Sequence, residues 1–271
     1  MSVADAGGGA GTDGGSPERR STPTVLLAVA RRLRTDPTLC LPFGLAGLVV
    51  GLADWLRLRD PLPVGQPAWV GDTFSVQYGV FPSGTARTSR QLGAFMDLQL
   101  PYLLGGLALE AVVALAVGVA GWLTITRALS ADRTAGSFGR YVGVLALTVA
   151  GIRPVSQVEV GSLPLALLAI AVVVLFVVRL FLVPGLLATG SGFRTALRES
   201  VRRSRGVRVT LGWLAVLLGV ASWGLATVPV VGGFLSTAVV GTVQAVAIAV
   251  VLGWQSDEWV STGGHGSAGS A

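Results

Sequence analysis

Long apolar segments recur along this chain, separated by short segments rich in arginine. Residues 165–178, for example, contain no charged side chain. A helix needs about 20 predominantly apolar residues to cross the hydrocarbon core of a bilayer. Charged residues make up only 13% of the 271 residues, whereas about 25% is usual in soluble domains. These features predict an all-α fold, a polytopic bundle of transmembrane helices.

Six segments are apolar and long enough to be predicted as membrane spans. They cover residues 39–56, 100–125, 141–160, 163–187, 209–228 and 234–254. In the third segment Arg153, Pro154 and Glu159 interrupt the apolar residues, so the pattern alone allows this segment to cross the membrane or to lie on its surface. We expect one membrane domain over residues 24–254. The polar tails at 1–23 and 255–271 contain too few apolar residues to fold.

The positions of the arginines favour six crossings. With the amino terminus in the cytoplasm and six spans, most arginines lie on the cytoplasmic side, as the positive-inside rule requires. If the third segment did not cross, the arginine-rich residues 194–208 would lie outside. The sequence therefore predicts a multi-pass protein of the cell membrane with both termini in the cytoplasm.

The loop at residues 57–97 is predicted to be extracytoplasmic and is too long for a simple turn. Within it Phe74, Val76 and Tyr78 alternate with polar residues, which is the period of a half-buried strand. The turn signal Pro82-Ser83-Gly84 follows. We expect a small hairpin or cap outside the membrane, and we expect Asp54, near the outer membrane face, to be solvated.

Two arginine-rich segments are predicted to form interfacial amphipathic elbow helices. Residues 24–34 place Val25, Val29 and Leu33 on one helical face, and residues 193–205 repeat the pattern. A shorter version at residues 138–144 precedes the third span, so the chain is predicted to repeat a unit of elbow plus hairpin. The candidate contacts for anionic lipid headgroups are Arg31, Arg32, Arg34, Arg194, Arg198, Arg202, Arg203 and Arg205.

Residues 179–187 (RLFLVPGLL) and 196–200 (ALRES), ending at Gly206, carry a family resemblance. Over about residues 24–254 the chain resembles the membrane domain attached to some glycerophosphodiester phosphodiesterases, and related stand-alone six-helix membrane proteins, including haloarchaeal ones. The chain has Ser200-Val201 where the family commonly has Ser-Trp. The resemblance implies a six-helix membrane fold and an archaeal membrane protein. The phosphodiesterase chemistry belongs to a domain that we do not expect here, so no catalytic residue is transferred.

Three polar side chains are predicted to lie within spans. Glu110 is near the middle of the second span and Arg179 is in the inner half of the fourth. An ionisable group at such depth costs on the order of 3 kcal/mol and is a functional candidate. Arg179 could extend to the headgroups while Glu110 is protonated or hydrogen-bonded, the two could form an ion pair, or they could serve transport. Gln244, in the sixth span, is expected to bond across helices.

Small residues mark two helix-packing faces. Gly47 and Gly51 form a GxxxG motif in the first span, which allows a second helix to approach closely. The sixth span carries a small-residue stripe, whose partner is either the fifth span or a second copy of the chain, and packing within the chain is favoured. This stripe contains Gly233, Thr237, Gly241, Ala245, Ala249 and Gly253.

The sequence argues against several functional classes. Cys40 is the only cysteine and His265 the only histidine, which excludes metal sites built from clusters of these residues. No motif for nucleotide binding or hydrolysis occurs, so we expect neither enzyme activity nor a cofactor. The arginines lie in clusters beside apolar segments, which favours lipid headgroups over nucleic acid as partners.

Two functions remain open at this point. The leading hypothesis is a non-enzymatic protein that organises membrane lipids or protein partners, with a homo-oligomer also open. The competing hypothesis is a small transporter or channel subunit that uses Glu110 and Arg179.

Overall fold

The computed structural model describes residues 21–60, 64, 79–88, 90, 99–152 and 163–263. All regular secondary structure in these residues is helical. A 3-10 turn at Pro37–Cys40 precedes α2, and a π-helical turn at Ser236–Gly241 joins α9 to α10. The helices are α1 (Thr22–Thr35), α2 (Leu41–Arg59), α3 (Leu100–Ala128), α4 (Ala135–Ile152), α5 (Leu163–Leu180), α6 (Val183–Ala188), α7 (Phe193–Ser204), α8 (Arg208–Ala226), α9 (Gly232–Leu235) and α10 (Thr242–Gly263).

Five helical segments in the described residues are long and apolar enough to cross a membrane. The third predicted span, residues 141–160, overlaps α4, whose apolar part is Ala135–Val149. Because α4 begins at Ala135, residues 138–144 are part of this helix and do not form the separate elbow that the sequence predicted. Residues 153–160 of the prediction lie outside the described residues. The five segments are Pro37–Arg59, Leu100–Ala128, Ala171–Ala188, Arg208–Ala226 and Gly232–Gln255.

The predicted boundaries of the fourth span and of the carboxyl-terminal tail differ from the structure. The fourth span, predicted as continuous over 163–187, is interrupted between Leu180 and Val183. Pro184 explains the interruption, because its ring would clash with the Leu180 carbonyl four residues earlier in a continuous helix. The predicted disordered tail from residue 255 begins as a continuation of α10, which extends to Gly263. No glycine or proline interrupts residues 254–262.

Ion pairs and side-chain hydrogen bonds define the two ends of the bundle. At one end, Arg127 Nε lies 3.0 Å from Asp36 Oδ2, and Gln255 Nε2 donates to the Arg203 carbonyl at 3.2 Å. We call this the arginine end. At the other end, which we call the loop end, Arg90 Nη2 lies 2.6 Å from Asp60 Oδ2.

Glycines allow α2 to pack closely along the last helical segment. A Cβ on Gly47 would lie 2.9 Å from the Phe234 carbonyl oxygen, and a Cβ on Gly241 would lie 2.6 Å from the Phe43 ring. A Cβ on Gly233 would collide with the Asp54 carboxylate. The first predicted span is therefore a partner of the small-residue stripe. The sequence had suggested either the fifth span or a second copy of the chain for this role.

The remaining small residues of the two predicted packing faces are packed to different extents. Gly51 faces Phe234, with 3.5 Å between a placed Cβ and the Phe234 Cβ. Ala245 is fully buried and Ala249 nearly so. A Cβ on Gly253 would have no atom within 4 Å, so the close packing ends before the arginine end.

The described part of the long loop lies inside the bundle. Val80 and Phe81 are 3% and 4% exposed, and Phe81 packs edge-to-face on Tyr141 of α4 with ring centroids 5.1 Å apart. Residues 79–88 contain no strand. The expected hairpin is absent from these residues, although most of the predicted strand at 73–80 lies outside the described residues. The position of the loop outside the membrane stays a prediction.

Candidate functional site: a buried ion cluster and an inserted loop

Arg57 is the centre of an ion cluster at the loop end. It lies near the carboxyl terminus of α2, one helical turn after Asp54, and its side chain is 2% exposed. Its Nη1 lies 3.3 Å from Asp54 Oδ1, and its Nη2 lies 2.7 Å from Glu110 Oε1 on α3. One guanidinium group thus joins two carboxylates on two adjacent helices.

The inserted loop supplies further hydrogen bonds to this cluster. The Asp54 carboxylate accepts hydrogen bonds from the backbone N–H groups of Arg87 and Thr88, at 3.1 and 3.0 Å. It also accepts one from Thr88 Oγ1 at 2.6 Å. Arg57 Nη1 donates to the Thr88 carbonyl at 3.2 Å. Asp54, predicted to be solvated, is 3% exposed because the loop backbone replaces water as its donor.

Glu110 has a different partner from the one suggested by the sequence. Its side chain, 10% exposed, pairs with Arg57. Arg179 is exposed on α5, and its backbone carbonyl accepts a hydrogen bond from Ser200 Oγ of α7 at 2.7 Å. The predicted first span ended at residue 56, but α2 continues to Arg59, which makes Arg57 part of the bundle.

Two serines hold the middle of the inserted loop. The Thr85 N–H lies 2.9 Å from Ser222 Oγ of α8 and 2.8 Å from Ser236 Oγ, and these two hydroxyls are 2.9 Å apart. Gly84 is in such close contact that a Cβ would collide with the backbone of Ser236 and Thr237. The loop is therefore fitted against the helix backbone at this point.

Gln244 holds the deepest described part of the loop. Its side chain is fully buried, and its Nε2 donates to the Gly79 carbonyl at 3.3 Å. Its Oε1 accepts from the Ser83 N–H at 3.5 Å. The amide therefore bonds to loop backbone, whereas the sequence suggested a bond across helices. Gln244 is about 18 Å along the helix axis from Gly232, at about 1.5 Å per residue, so the loop extends far into the bundle.

These contacts make the inserted loop part of the core. Backbone N–H and C=O groups in a water-free interior require partners, because each unbonded group costs several kcal/mol. Asp54, Ser222, Ser236 and Gln244 supply bonds to loop backbone from three helical segments. The arrangement fixes the loop in place. It gives no nucleophile paired with a base, and the described residues contain no group of three or more His, Cys, Asp or Glu that could hold a metal ion.

The predicted headgroup-binding arginines lie at the arginine end. On α1 the apolar residues Val25 and Val29 are buried, while the arginines are exposed. On α7 Ala196 and Ser200 are buried. The exposed arginines are Arg31, Arg32, Arg34, Arg194, Arg198, Arg202 and Arg205, and Arg203 is partly buried.

Glu199 of α7 pairs with two of these arginines. Its carboxylate lies 2.7 Å from Arg202 Nη2 and 2.6 Å from Arg203 Nε. Partial burial alone would raise the pKa of Glu199, but the hydrogen bonds from Arg203 and Arg202 outweigh it and hold this pKa below its ordinary value. The carboxylate is therefore ionised at neutral pH, and its contribution to stability is lost only as the pH falls through the lowered pKa.

The combination of apolar helices and buried polar side chains defines a helical protein with the character of a membrane-spanning bundle. Comparison with protein-family models, curated proteins and solved structures finds no match to this chain. The resemblance to the phosphodiesterase-associated membrane domain therefore stays a prediction.

We predict that Arg57→Gln destabilises the protein by about 3 kcal/mol or more, because it leaves Asp54 and Glu110 as buried carboxylates without their shared cation. The measurement is the free energy of unfolding in detergent micelles. Arg59→Gln is the matched control, since Arg59 is exposed and stacks over the Trp55 ring at 3.8 Å; its loss should cost about 1 kcal/mol or less. Equal destabilisation by the two substitutions would contradict the central role of Arg57.

Proposed function

We propose that this chain is a non-enzymatic, multi-pass protein of the cell membrane that gathers anionic lipids at its cytoplasmic face. In this proposal α4, the third predicted span, also crosses the membrane, so that there are six spans. Both termini are cytoplasmic, and α1 and α7 are interfacial elbow helices. The observation that carries it is the exposure of arginines on these two helices, which are anchored to the bundle by the buried residues Val25, Val29 and Ala196.

The anchoring of α1 supports a role at a membrane surface. Its Val25 and Val29 join the hydrophobic core, and Arg32 Nη2 donates to the Ala128 carbonyl at the end of α3, at 3.3 Å. The helix is thus attached to the bundle beside the ends of the membrane-crossing segments. Arginines in this position attract anionic headgroups, each by about 1 kcal/mol.

The anchoring of α7 supports the same role. Ala196 is fully buried, and Ser200 bonds to the end of α5. Arg194 and Arg198 are exposed. Two separately anchored helices therefore present guanidinium groups at one end of the bundle, where the positive-inside rule favours the cytoplasm.

The ion cluster favours a structural role for the bundle interior. Asp54 accepts three hydrogen bonds from the loop, and Arg57 contacts both carboxylates. A polar network with this degree of bonding rigidifies a core. The interior then acts as a scaffold, and the contacts with partners take place at the arginine end.

Transport is the second candidate function. Its support is the burial of Asp54, Arg57 and Glu110, because ionisable side chains within membrane-crossing helices commonly mark ion or proton pathways. Arg57 replaces Arg179 as the partner of Glu110 in this alternative. A transport role requires the cluster to exchange protons or ions while the inserted loop moves.

We predict that Arg194→Gln combined with Arg198→Gln lowers the excess of anionic over zwitterionic lipid that the purified protein retains. Each lost arginine removes about 1 kcal/mol of attraction. The retained lipids are identified by mass spectrometry after extraction in native lipids at low salt, where screening is weakest. The matched control is Arg59→Gln combined with Arg87→Gln, which removes the same charge at the loop end. An equal reduction in both variants, or none in either, would contradict the proposal.

We predict no proton or ion flux above that of protein-free liposomes when the purified protein is reconstituted. Glu110→Gln, which keeps the side-chain size and removes the charge, should therefore change stability alone. The measurement is a pH-dye and ion-electrode assay on proteoliposomes, with Arg59→Gln as the control. Protein-dependent flux that Glu110→Gln abolishes and Arg59→Gln preserves, at equal folded fraction, would establish transport instead.

A further inference from the structure

A cavity of about 290 Å³ lies at the arginine end, between α1, the end of α7, and the adjacent parts of α8 and α10. Arg202 and Arg203 line it together with Gln255. Its other walls are mainly apolar and include Val25, Leu211 and Trp254. The cavity therefore combines a cationic part with a hydrocarbon-like part, as a phospholipid requires of its site.

The cationic part has an excess of positive charge. Glu199 neutralises one of the two guanidinium groups that it contacts, at 2.7 Å from Arg202 and 2.6 Å from Arg203. The pair of arginines therefore keeps a net positive charge beside the cavity. An arginine guanidinium has five N–H donors in a planar fork, a geometry that suits phosphate oxygens.

Gln255 adds a hydrogen-bond acceptor to the same cavity. Its Nε2 donates to the Arg203 carbonyl at 3.2 Å, while its Oε1 is buried and has no hydrogen-bond partner among the described residues. A buried acceptor without a donor costs about 1–3 kcal/mol. Oε1 is not accessible from the cavity in this conformation, so a ligand hydroxyl group would remove this cost after the amide turns its oxygen toward the cavity.

We propose that the cavity binds one anionic phospholipid whose headgroup carries a free hydroxyl group, as phosphatidylglycerol does. Arg202 and Arg203 contact the phosphate, Gln255 accepts a hydrogen bond from the headgroup hydroxyl, and Val25 and Trp254 contact the beginning of a hydrocarbon chain. This site deepens the proposed function and rests on it, since it adds a single specific lipid to the general attraction by exposed arginines.

The cavity has room for the headgroup and the beginning of one hydrocarbon chain. Its volume equals that of about ten water molecules at about 30 Å³ each, near the lower end of ligand pockets, which begin at about 300 Å³. A phosphate with its glycerol and the start of one chain fits within such a volume. The rest of the hydrocarbon stays in the surrounding bilayer.

The test is a titration of the full-length protein in detergent, followed by native mass spectrometry. The probes are dioleoylphosphatidylglycerol, dioleoylphosphatidic acid, dioleoylphosphatidylcholine and inorganic phosphate. We expect one phosphatidylglycerol to bind most tightly, and inorganic phosphate alone to bind at least tenfold more weakly because it lacks the chain contacts. Gln255→Leu should remove the preference for phosphatidylglycerol over phosphatidic acid.

Variants of the cavity separate this site from general attraction to the surface. Arg202→Gln combined with Arg203→Gln should weaken phosphatidylglycerol binding at least tenfold, as expected for lost charge-assisted hydrogen bonds. Thr210→Phe, which fills the cavity without changing charge, should do the same. Arg194→Gln combined with Arg198→Gln, on the same helix but away from the cavity, should leave the single tight lipid in place.

A conservative variant guards against loss of folding. Arg202→Lys combined with Arg203→Lys keeps both charges and should retain phosphatidylglycerol binding within tenfold of the unaltered protein.

Unchanged binding in both the double Gln variant and Thr210→Phe would overturn the cavity site, while the anionic enrichment of the preceding subsection could still hold. Absence of that enrichment in the unaltered protein would overturn the proposed function even if one lipid were bound. Binding of inorganic phosphate as tight as that of the lipid would show a phosphate site and overturn the lipid assignment.

Discussion

The backbone of the inserted loop imposes the main constraint on this structure. A chain segment without regular secondary structure can lie inside an apolar bundle only where its N–H and C=O groups find partners in the protein. Here Gln244, Ser222 and Ser236 bond to loop backbone around residues 79–85, and Asp54 bonds to it at residues 87 and 88. The polar side chains of the bundle are thus arranged around one internal segment, and glycine at position 84 allows the close approach.

The ion cluster depends on the same loop. Asp54 and Arg57 share one face of α2, and without the donors at Arg87 and Thr88 the Asp54 carboxylate would rely on Arg57 alone. Arg57 also reaches Glu110 on α3, so the cluster joins two helices and the loop. Well-packed apolar side chains of similar volume often replace a buried group of this kind with little loss of stability, whereas removal of one member alone is costly. In the proposed function the interior is a scaffold, and the contacts with lipids involve the arginines at the opposite end.

The sequence was sufficient for the elements that depend on local pattern. The apolar runs predicted α2, α3 and α8 close to their observed bounds, because membrane-length helices follow directly from composition and length. The sequence was insufficient where contacts between residues far apart in the chain determine the surroundings of a side chain. Asp54 was assigned the wrong surroundings, and Arg57 was missed as the partner of Glu110, because these contacts join residues far apart in the chain. The spacing of Asp54 and Arg57, one helical turn apart, was the available signal, but the predicted end of the first span at residue 56 concealed it.

The central claim is that residues 79–88 lie inside the bundle, and cysteine accessibility tests it directly. Thr85→Cys and, as a control, Thr227→Cys are introduced separately into a background with Cys40→Ser, since Thr85 is 8% exposed and Thr227 is exposed near the loop end. The measurement is the rate of labelling by a membrane-impermeant maleimide in detergent-solubilised, folded protein. The account predicts fast labelling of the Thr227→Cys variant and protection of the Thr85→Cys variant until denaturant is added. Equal rates in the folded protein would contradict it.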